Sequence, residues 1–421
     1  MSEAPAAPPP IPRNPFSPGA GTKPLYLAGR CHEQRQFTRS LTERNLTRNI
    51  LITGLHGMGK TVLLEHLRPR AAEQGWLWAG NDWNEAASIS EKDVATRLIA
   101  DLAKVLAPIV SPRTDERPLG FTSKPASTDG PAGFIDLSGI YNATPGFASD
   151  KLIAVLEHVA TIITNARIRG IVFAFDEAQN LADRKEREQF PLSLVCDVFS
   201  NLQRRNLGCQ FLLVMSGLPV LRTQLNDARA YTERMFQTLM LDRLSEDETR
   251  DAILKPLAIS KSTLTFTDQT VERIIDESRG YPFLIQHICR DVFDAWIGWM
   301  TVGAVPGVPM AEISTRLDLD FFAPLWTRAT DRQKRFMQAI ATLEDADTAF
   351  SVRDIISASR NLLTRPFNPS HASQMLGHLA QKGLIYRNRP GAYCFAVPML
   401  ADFIRRQPWD RATRRDQPNP S

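Results

Sequence analysis

The chain has 421 residues and a formal net charge of +4, with 50 Lys and Arg set against 46 Asp and Glu. Hydrophobic residues make up 43%, which excludes a disordered chain and is enough to build packed cores. The near balance of charge excludes binding driven by bulk basicity alone and leaves room for a local basic patch.

The five cysteines, Cys31, Cys196, Cys209, Cys289 and Cys394, are scattered, odd in number and without a CxxC pair. They predict free thiols in a reducing cytoplasm, neither a disulfide framework nor a zinc site. No apolar run reaches bilayer length, and the first residues lack the basic-then-apolar pattern of a secretory signal, so no membrane association is expected.

In chain order, residues 1–24 are rich in Pro, Ala and Gly and are expected to be disordered by themselves. Phe16 offers an anchor by which Pro15 to Pro24 could lie extended against the first domain. Residues 26–45 read as a helix with Phe37 and Leu41 on one face. Strand signals follow at 49–53, 76–80, 171–175, 211–215 and 237–241, with helices at 60–74, 87–106, 150–166 and 191–205. Strands separated by helices predict an α/β domain over 25–243, a parallel sheet with helices on both faces. Its strand IVFAF (171–175) is apolar throughout, as burial on both faces requires. Residues 108–149 carry many Pro, Gly, Ser and Thr without a period and read as an insertion.

From 244 to 322 the pattern is helical, with Ser245 and Thr267 as N-caps followed by acidic residues. Residues 323–407 show three helices and a short hairpin, the order of a winged helix-turn-helix. Residues 408–421 form a polar, flexible tail. There is no internal repeat.

The informative stretch is NILITGLHGMGKTVLLEHLR, residues 49–68. Gly54-Leu55-His56-Gly57-Met58-Gly59-Lys60-Thr61 fits G-x-x-x-x-G-K-[ST] between an apolar strand and a helix. Glycines let backbone N–H groups curl around an anion, and the helix start adds its dipole. Lys60 is placed to reach β- and γ-phosphates, and the Thr61 hydroxyl to ligate Mg²⁺. IVFAFDEAQN then supplies Asp176 at a strand end as the second magnesium residue and Glu177 on the other face. Glu177 is either the base that polarises water for attack or a cap of the next helix. Ser216, ending QFLLVMS, either senses the γ-phosphate or forms a turn before Gly217 and Pro219. Arg234 is either an arginine finger toward a neighbouring subunit or a solvated surface arginine.

Together these residues resemble the AAA+ ATPases of the origin-recognition-initiator and related signalling (STAND) type. More closely, the chain resembles a bacterial family of ATP-binding proteins with an origin-recognition-like AAA domain. The resemblance runs from about Asn14 to Arg406. GLHGMGKT and FAFDEAQNL match the Walker A and Walker B motifs, SGLPVL the sensor-one strand end, YTERMF the segment of the finger Arg234, and YCFAVPMLADFIRR the close of the winged helix. The resemblance places Arg30 near the adenine side and Gly280 and Pro282 in a lid motif that contacts the base. One departure is Tyr281-Pro282-Phe283, which lacks the lid arginine of initiator relatives until Arg290; it counts against a lid-driven hydrolysis step.

The implied activity is slow ATP hydrolysis with Mg²⁺, as a switch that binds ATP and ADP and assembles into a nucleotide-dependent homo-oligomer. The winged helix contacts either double-stranded DNA or, in a signalling or defence ATPase, a protein partner. Its third helix carries His371, Ser373, Gln374, His378, Gln381 and Lys382. Its basic residues are counted as Arg387, Arg389, Arg405 and Arg406, with Arg411, Arg414 and Arg415 in the tail.

Overall fold

The structure is a computed structural model. It describes residues 13–19, 21–44, 46–80, 82, 88–110, 132–205, 207–302, 307–344, 346, 349–389 and 391–408. The expectations for the first 12 residues and for the tail from 409 on, with Arg411, Arg414 and Arg415, lie outside these residues. The chain divides into two compact units. The sheet unit holds Arg30–Gly54 and Lys60–Leu241. The helical unit holds the segment ending at Gly29, the five residues Leu55–Gly59, and the chain from Asp242.

In the sheet unit the helices are α1 Cys31–Thr42, α2 Lys60–Glu73, α3 Glu91–Val110, α4 Ala132–Ala143, α5 Ala148–Asn165, α6 Pro191–Gln203, α7 Val220–Ala228 and α8 Thr232–Met235. The strands are β1 Asn49–Thr53, β2 Trp76–Ala79, β3 Gly170–Phe175, β4 Gln210–Gly217 and β5 Phe236–Met240. They form one parallel sheet in the order β2-β3-β4-β1-β5. Every residue of β1 and β3 is buried, as the apolar runs required. The register pairs Thr53 with Gly217 and Phe175 with Met215. The chain therefore leaves β1, β3 and β4 along one edge of the sheet, and the residues after these strands are gathered there.

Much of the expected insertion is structured. The helix read at 87–106 continues to Val110, and α4 occupies 132–143 with Leu137 in the main core. A helix rich in Gly, Ser and Ala has little periodic contrast, which is why it did not show. Residues 111–131 lie outside the described residues.

In the helical unit, α9 Glu246–Ile259, α10 Asp268–Ser278, α11 Pro282–Val302 and α12 Met310–Leu317 come first. After a π-helical turn at Asp318–Phe322 come α13 Ala323–Thr327, α14 Asp331–Ala341, α15 Val352–Leu362, α16 Pro369–Gln381 and α17 Leu400–Arg406. Strands β6 Phe350–Ser351, β7 Ile385–Arg389 and β8 Ala392–Phe395 form an antiparallel sheet in the order β6-β8-β7. Ser245 caps α9 in a reciprocal box with Glu248, and Thr267 caps α10, as expected.

The start of the chain differs from its reading. From residue 13 it is not free: Phe16 is 2% exposed and sits in the core of α9–α11 beside Phe266 and Phe293. Asn14 donates to Arg290 O and Asp294 Oδ1. A large aromatic side chain offsets the entropy of ordering a few Pro-restricted residues. Among the described residues no helix is long and apolar enough to cross a membrane.

Candidate nucleotide-binding site

The phosphate-loop sequence adopts the backbone its glycines predict. Gly57 and Gly59 take φ of 78° and 84°, in the left-handed region that favours glycine. The loop leaves β1 with the Gly54 N–H donating to Gly217 O at 3.3 Å. Within the helical unit, Gly57 O accepts the Phe283 N–H at 3.2 Å and the His56 N–H donates to Ala396 O at 3.4 Å. A Cβ on Gly57 would lie 2.8 Å from the Phe283 Cβ, so this glycine also admits a close neighbour.

In the sheet unit, Lys60 opens α2 and is 6% exposed. Its Nζ donates to Gly54 O at 3.1 Å. Burial lowers its pKa, while Glu177 and Asp176 act in the opposite sense. Thr61 Oγ1 donates to Asp176 Oδ2, joining residues 115 positions apart. Asp176 Oδ1 in turn accepts the Glu177 N–H at 3.0 Å. A hydroxyl and a carboxylate converging beside a buried ammonium are the hard oxygen donors that Mg²⁺ takes, so Thr61 and Asp176 fit that ion.

Glu177 sits at the start of a short 3-10 turn with φ of 50°, a left-handed conformation that is costly for a residue with a Cβ. It stands where a cap would, yet its side chain makes no cap bond. Its carboxylate accepts from Gln179 Nε2 instead. Gln179 Oε1 accepts the Leu218 N–H at 3.0 Å. A Cβ on Gly217 would lie 2.4 Å from that same oxygen, so a side chain there would push Gln179 out of this bond. Gln179 thus ties Glu177 to the end of β4. Ser216, on that strand, is fully buried, and its Oγ has no hydrogen-bond partner; the Thr53 hydroxyl at the end of β1 is likewise unpartnered. Unpaired buried hydroxyls are costly, and two at the strand ends beside the phosphate loop fit a polar ligand.

Residues 26–212 match the family model described as AAA ATPase domain. Residues 319–404 match another, described as a domain of unknown function (DUF8462). A comparison with curated proteins found no match. Among solved structures, the ADP form of the Aeropyrum pernix ORC2 protein is 12% identical with a TM-score of 0.51, covering 91% of this chain and 95% of that one. The ADPNP-ADP complexes of the same protein give 13% identity and a TM-score of 0.50, covering 91% and 94%.

Within the matched residues, Arg30 is buried at the start of α1, and its carbonyl accepts the Gln34 N–H at 3.1 Å. Asp82 was missed by the sequence reading. It pairs in a parallel bridge with Asp176. Burial, then Asp176, Glu177 and Glu65, push its carboxyl up. Its signal was an aspartate just beyond a strand, the same signal that singled out Asp176. Gln179 was also missed, since a glutamine has no motif value until its two partners are known.

Two further groups lie beyond the AAA domain match. Arg234 is exposed on α8, two residues before Phe236, the first residue of β5. Phe236 pairs with Asn49 and Met240 with Thr53, so Arg234 lies at the end of the sheet opposite the phosphate loop. At ~3.3 Å per strand residue that is more than ~13 Å away. In the helical unit, Gly280 takes φ of 74° and Pro282 is the first residue of α11. The turn brings the next residue, Phe283, onto Gly57 O, so the sequence-predicted lid motif and the loop glycine do meet.

Proposed function

We propose that this protein is an ATP-binding and ATP-hydrolysing switch of origin-recognition-like AAA+ type, which associates with duplex DNA through a winged helix at 323–407. The observation that carries the nucleotide reading is the Thr61–Asp176 hydrogen bond beside buried Lys60, at the point where the phosphate loop enters α2. The ORC2 structures with ADP and ADPNP support it through the shared fold. The three helices α14–α16 followed by the β7–β8 hairpin support the winged helix.

The loop N–H groups of Leu55 to Thr61 and the Lys60 ammonium hold the phosphates. Thr61 and Asp176 hold Mg²⁺, which screens phosphate charge when bound. Arg30, Gly280 and Pro282 border the base. Glu177 accepts the proton of the attacking water, held in register with Ser216 by Gln179. Arg234, at the far end of the sheet from this chain's own loop, serves the loop of a neighbouring copy, so hydrolysis requires a nucleotide-dependent homo-oligomer and is slow in the isolated chain. The scattered cysteines fit a cytoplasmic protein.

The test is Glu177→Gln. ATP affinity should be retained while turnover falls about a hundredfold, since the shape remains and the base is lost. Turnover at the wild-type rate would remove Glu177 from the chemistry. Turnover of the wild type that ignores duplex DNA, with no DNA binding, would assign the C-terminal module to a protein partner, as in a signalling ATPase.

A further inference from the structure

Two of the arginines counted along the C-terminal module in the sequence, and Lys382 of its third helix, are paired within the fold. Arg405 donates to Ala341 O, Leu343 O and Asp402. Arg406 pairs with Asp318. Lys382 Nζ donates to Arg328 O at 2.8 Å and to Gln333 Oε1 at 2.7 Å.

Basic side chains gather elsewhere. A cavity of about 450 Å³ is lined by Arg332 and Arg335 of α14, Arg365 and Phe367 of the α15–α16 turn, and Asn368 and His371 at the start of α16. None of the described residues that line it is a carboxylate. Burial, then the charge of Arg332, holds His371 below its usual range, as a positive field requires. The wall is packed: the Phe367 ring lies edge-on against Phe336 at 5.0 Å, and the Phe367 N–H donates to Ser359 Oγ at 3.2 Å. Asn368 caps α16, so that helix points its N-terminal dipole at the same space.

We infer that this cavity is a phosphate-binding site that seats the sugar–phosphate backbone of duplex DNA at the N-terminal end of α16. This rests on the proposed DNA association and assigns it to residues that the sequence count had omitted. The guanidiniums of Arg332 and Arg365, from two elements, planar and always charged, suit phosphate oxygens.

The neighbouring surface selects duplex DNA as the occupant. Beyond the cavity, α16 exposes Ser370, Ser373, Gln374, Gly377 and Gln381 along one face, and the helix carries no acidic residue. At ~1.5 Å per residue the helix is about 20 Å long, and a polar, uncharged helix face of this kind fits a major groove. Backbone contacts at one end of such a helix set its register while the face meets base edges.

The test is fluorescence anisotropy of the full chain with a labelled duplex of about 30 bp, from 50 to 200 mM salt. The Arg332→Gln/Arg365→Gln double variant should bind about 10- to 100-fold more weakly at 100 mM salt. Its log–log salt slope should be shallower by about 2, near 0.9 for each phosphate no longer neutralised. Arg353→Gln, an exposed arginine of α15 outside the cavity, should change affinity less than about threefold, which controls for general loss of charge. ATP turnover without DNA should be unchanged in all of them.

A wild type that hydrolyses ATP but does not bind the duplex overturns the DNA reading itself. A wild type that binds, with a double variant of equal affinity and slope, overturns the cavity assignment alone. Should the Gln variant melt early, Arg332→Lys/Arg365→Lys decides: it keeps the charge and should bind within a few-fold of wild type. A folded Lys variant that loses binding and slope as fully as the Gln pair was expected to would show that charge in the cavity is not what binds.

Discussion

Replacing Gly280 by alanine tests whether the lid turn is held by its backbone. Gly280 has φ of 74°, and an alanine Cβ would lie 2.3 Å from Leu244 O. That carbonyl and that Cβ must separate by about 1 Å to reach ordinary van der Waals contact, while the Leu244 N–H donates to Gly280 O at 2.8 Å and is pulled with it. The left-handed backbone costs an alanine about 1–2 kcal/mol, and the loss of one hydrogen bond about 1 kcal/mol more. The helical unit should therefore lose roughly 2–3 kcal/mol of stability, measured by urea unfolding.

The same shift moves Phe283, whose N–H reaches Gly57 O, so ATP and ADP should both bind about tenfold more weakly by calorimetry, a loss of about 1.4 kcal/mol. Pro282→Ala keeps the turn and should cost on the order of 1 kcal/mol at most. Gly280→Asn eases the backbone cost but brings the same Cβ, so it should recover only part of the alanine loss. An alanine variant within about 0.5 kcal/mol of wild type, or an asparagine variant that is spared, would refute the argument from close approach.

Lys60→Ala should abolish tight ATP binding in calorimetry, because the triphosphate loses the buried cation beside the loop; unchanged affinity would rule out the phosphate-loop assignment. His287, packed against the Phe283 ring at 4.4 Å, has its pKa lowered mainly by burial and further by Arg290, against Asp291 and Asp320. Because the unfolded chain then binds more protons, stability should fall as pH drops below its ordinary value of 6.5, levelling off once the folded imidazole also titrates. His287→Gln should flatten that part of a pH series of unfolding midpoints, and an unchanged slope would remove His287 as its source.

The sequence by itself determined the strands and the phosphate loop. β1 and β3 are continuous apolar runs that only a twice-covered strand explains, and the loop's glycines, Lys60 and Thr61 lie within one local stretch. Ser245 and Thr267 were legible as caps for the same reason: the partner N–H is three residues away.

Only the tertiary structure decided what depended on distant partners. Thr61 and Asp176 are 115 positions apart and meet because β1 and β3 flank β4 in register. Gln179 acquires its role from Leu218, and Asp82 from Asp176. Phe16 finds its place in a core built some 250 residues later, beside Phe266. Charge was the least legible quantity of all. A count of arginines does not say which are neutralised, and folding pairs Arg405, Arg406 and Lys382 with partners inside the chain while Arg332 and Arg365 line a cavity whose described residues include no carboxylate. Local geometry follows from neighbours in the chain, whereas the sign of a surface follows from which opposite charges the fold brings within reach.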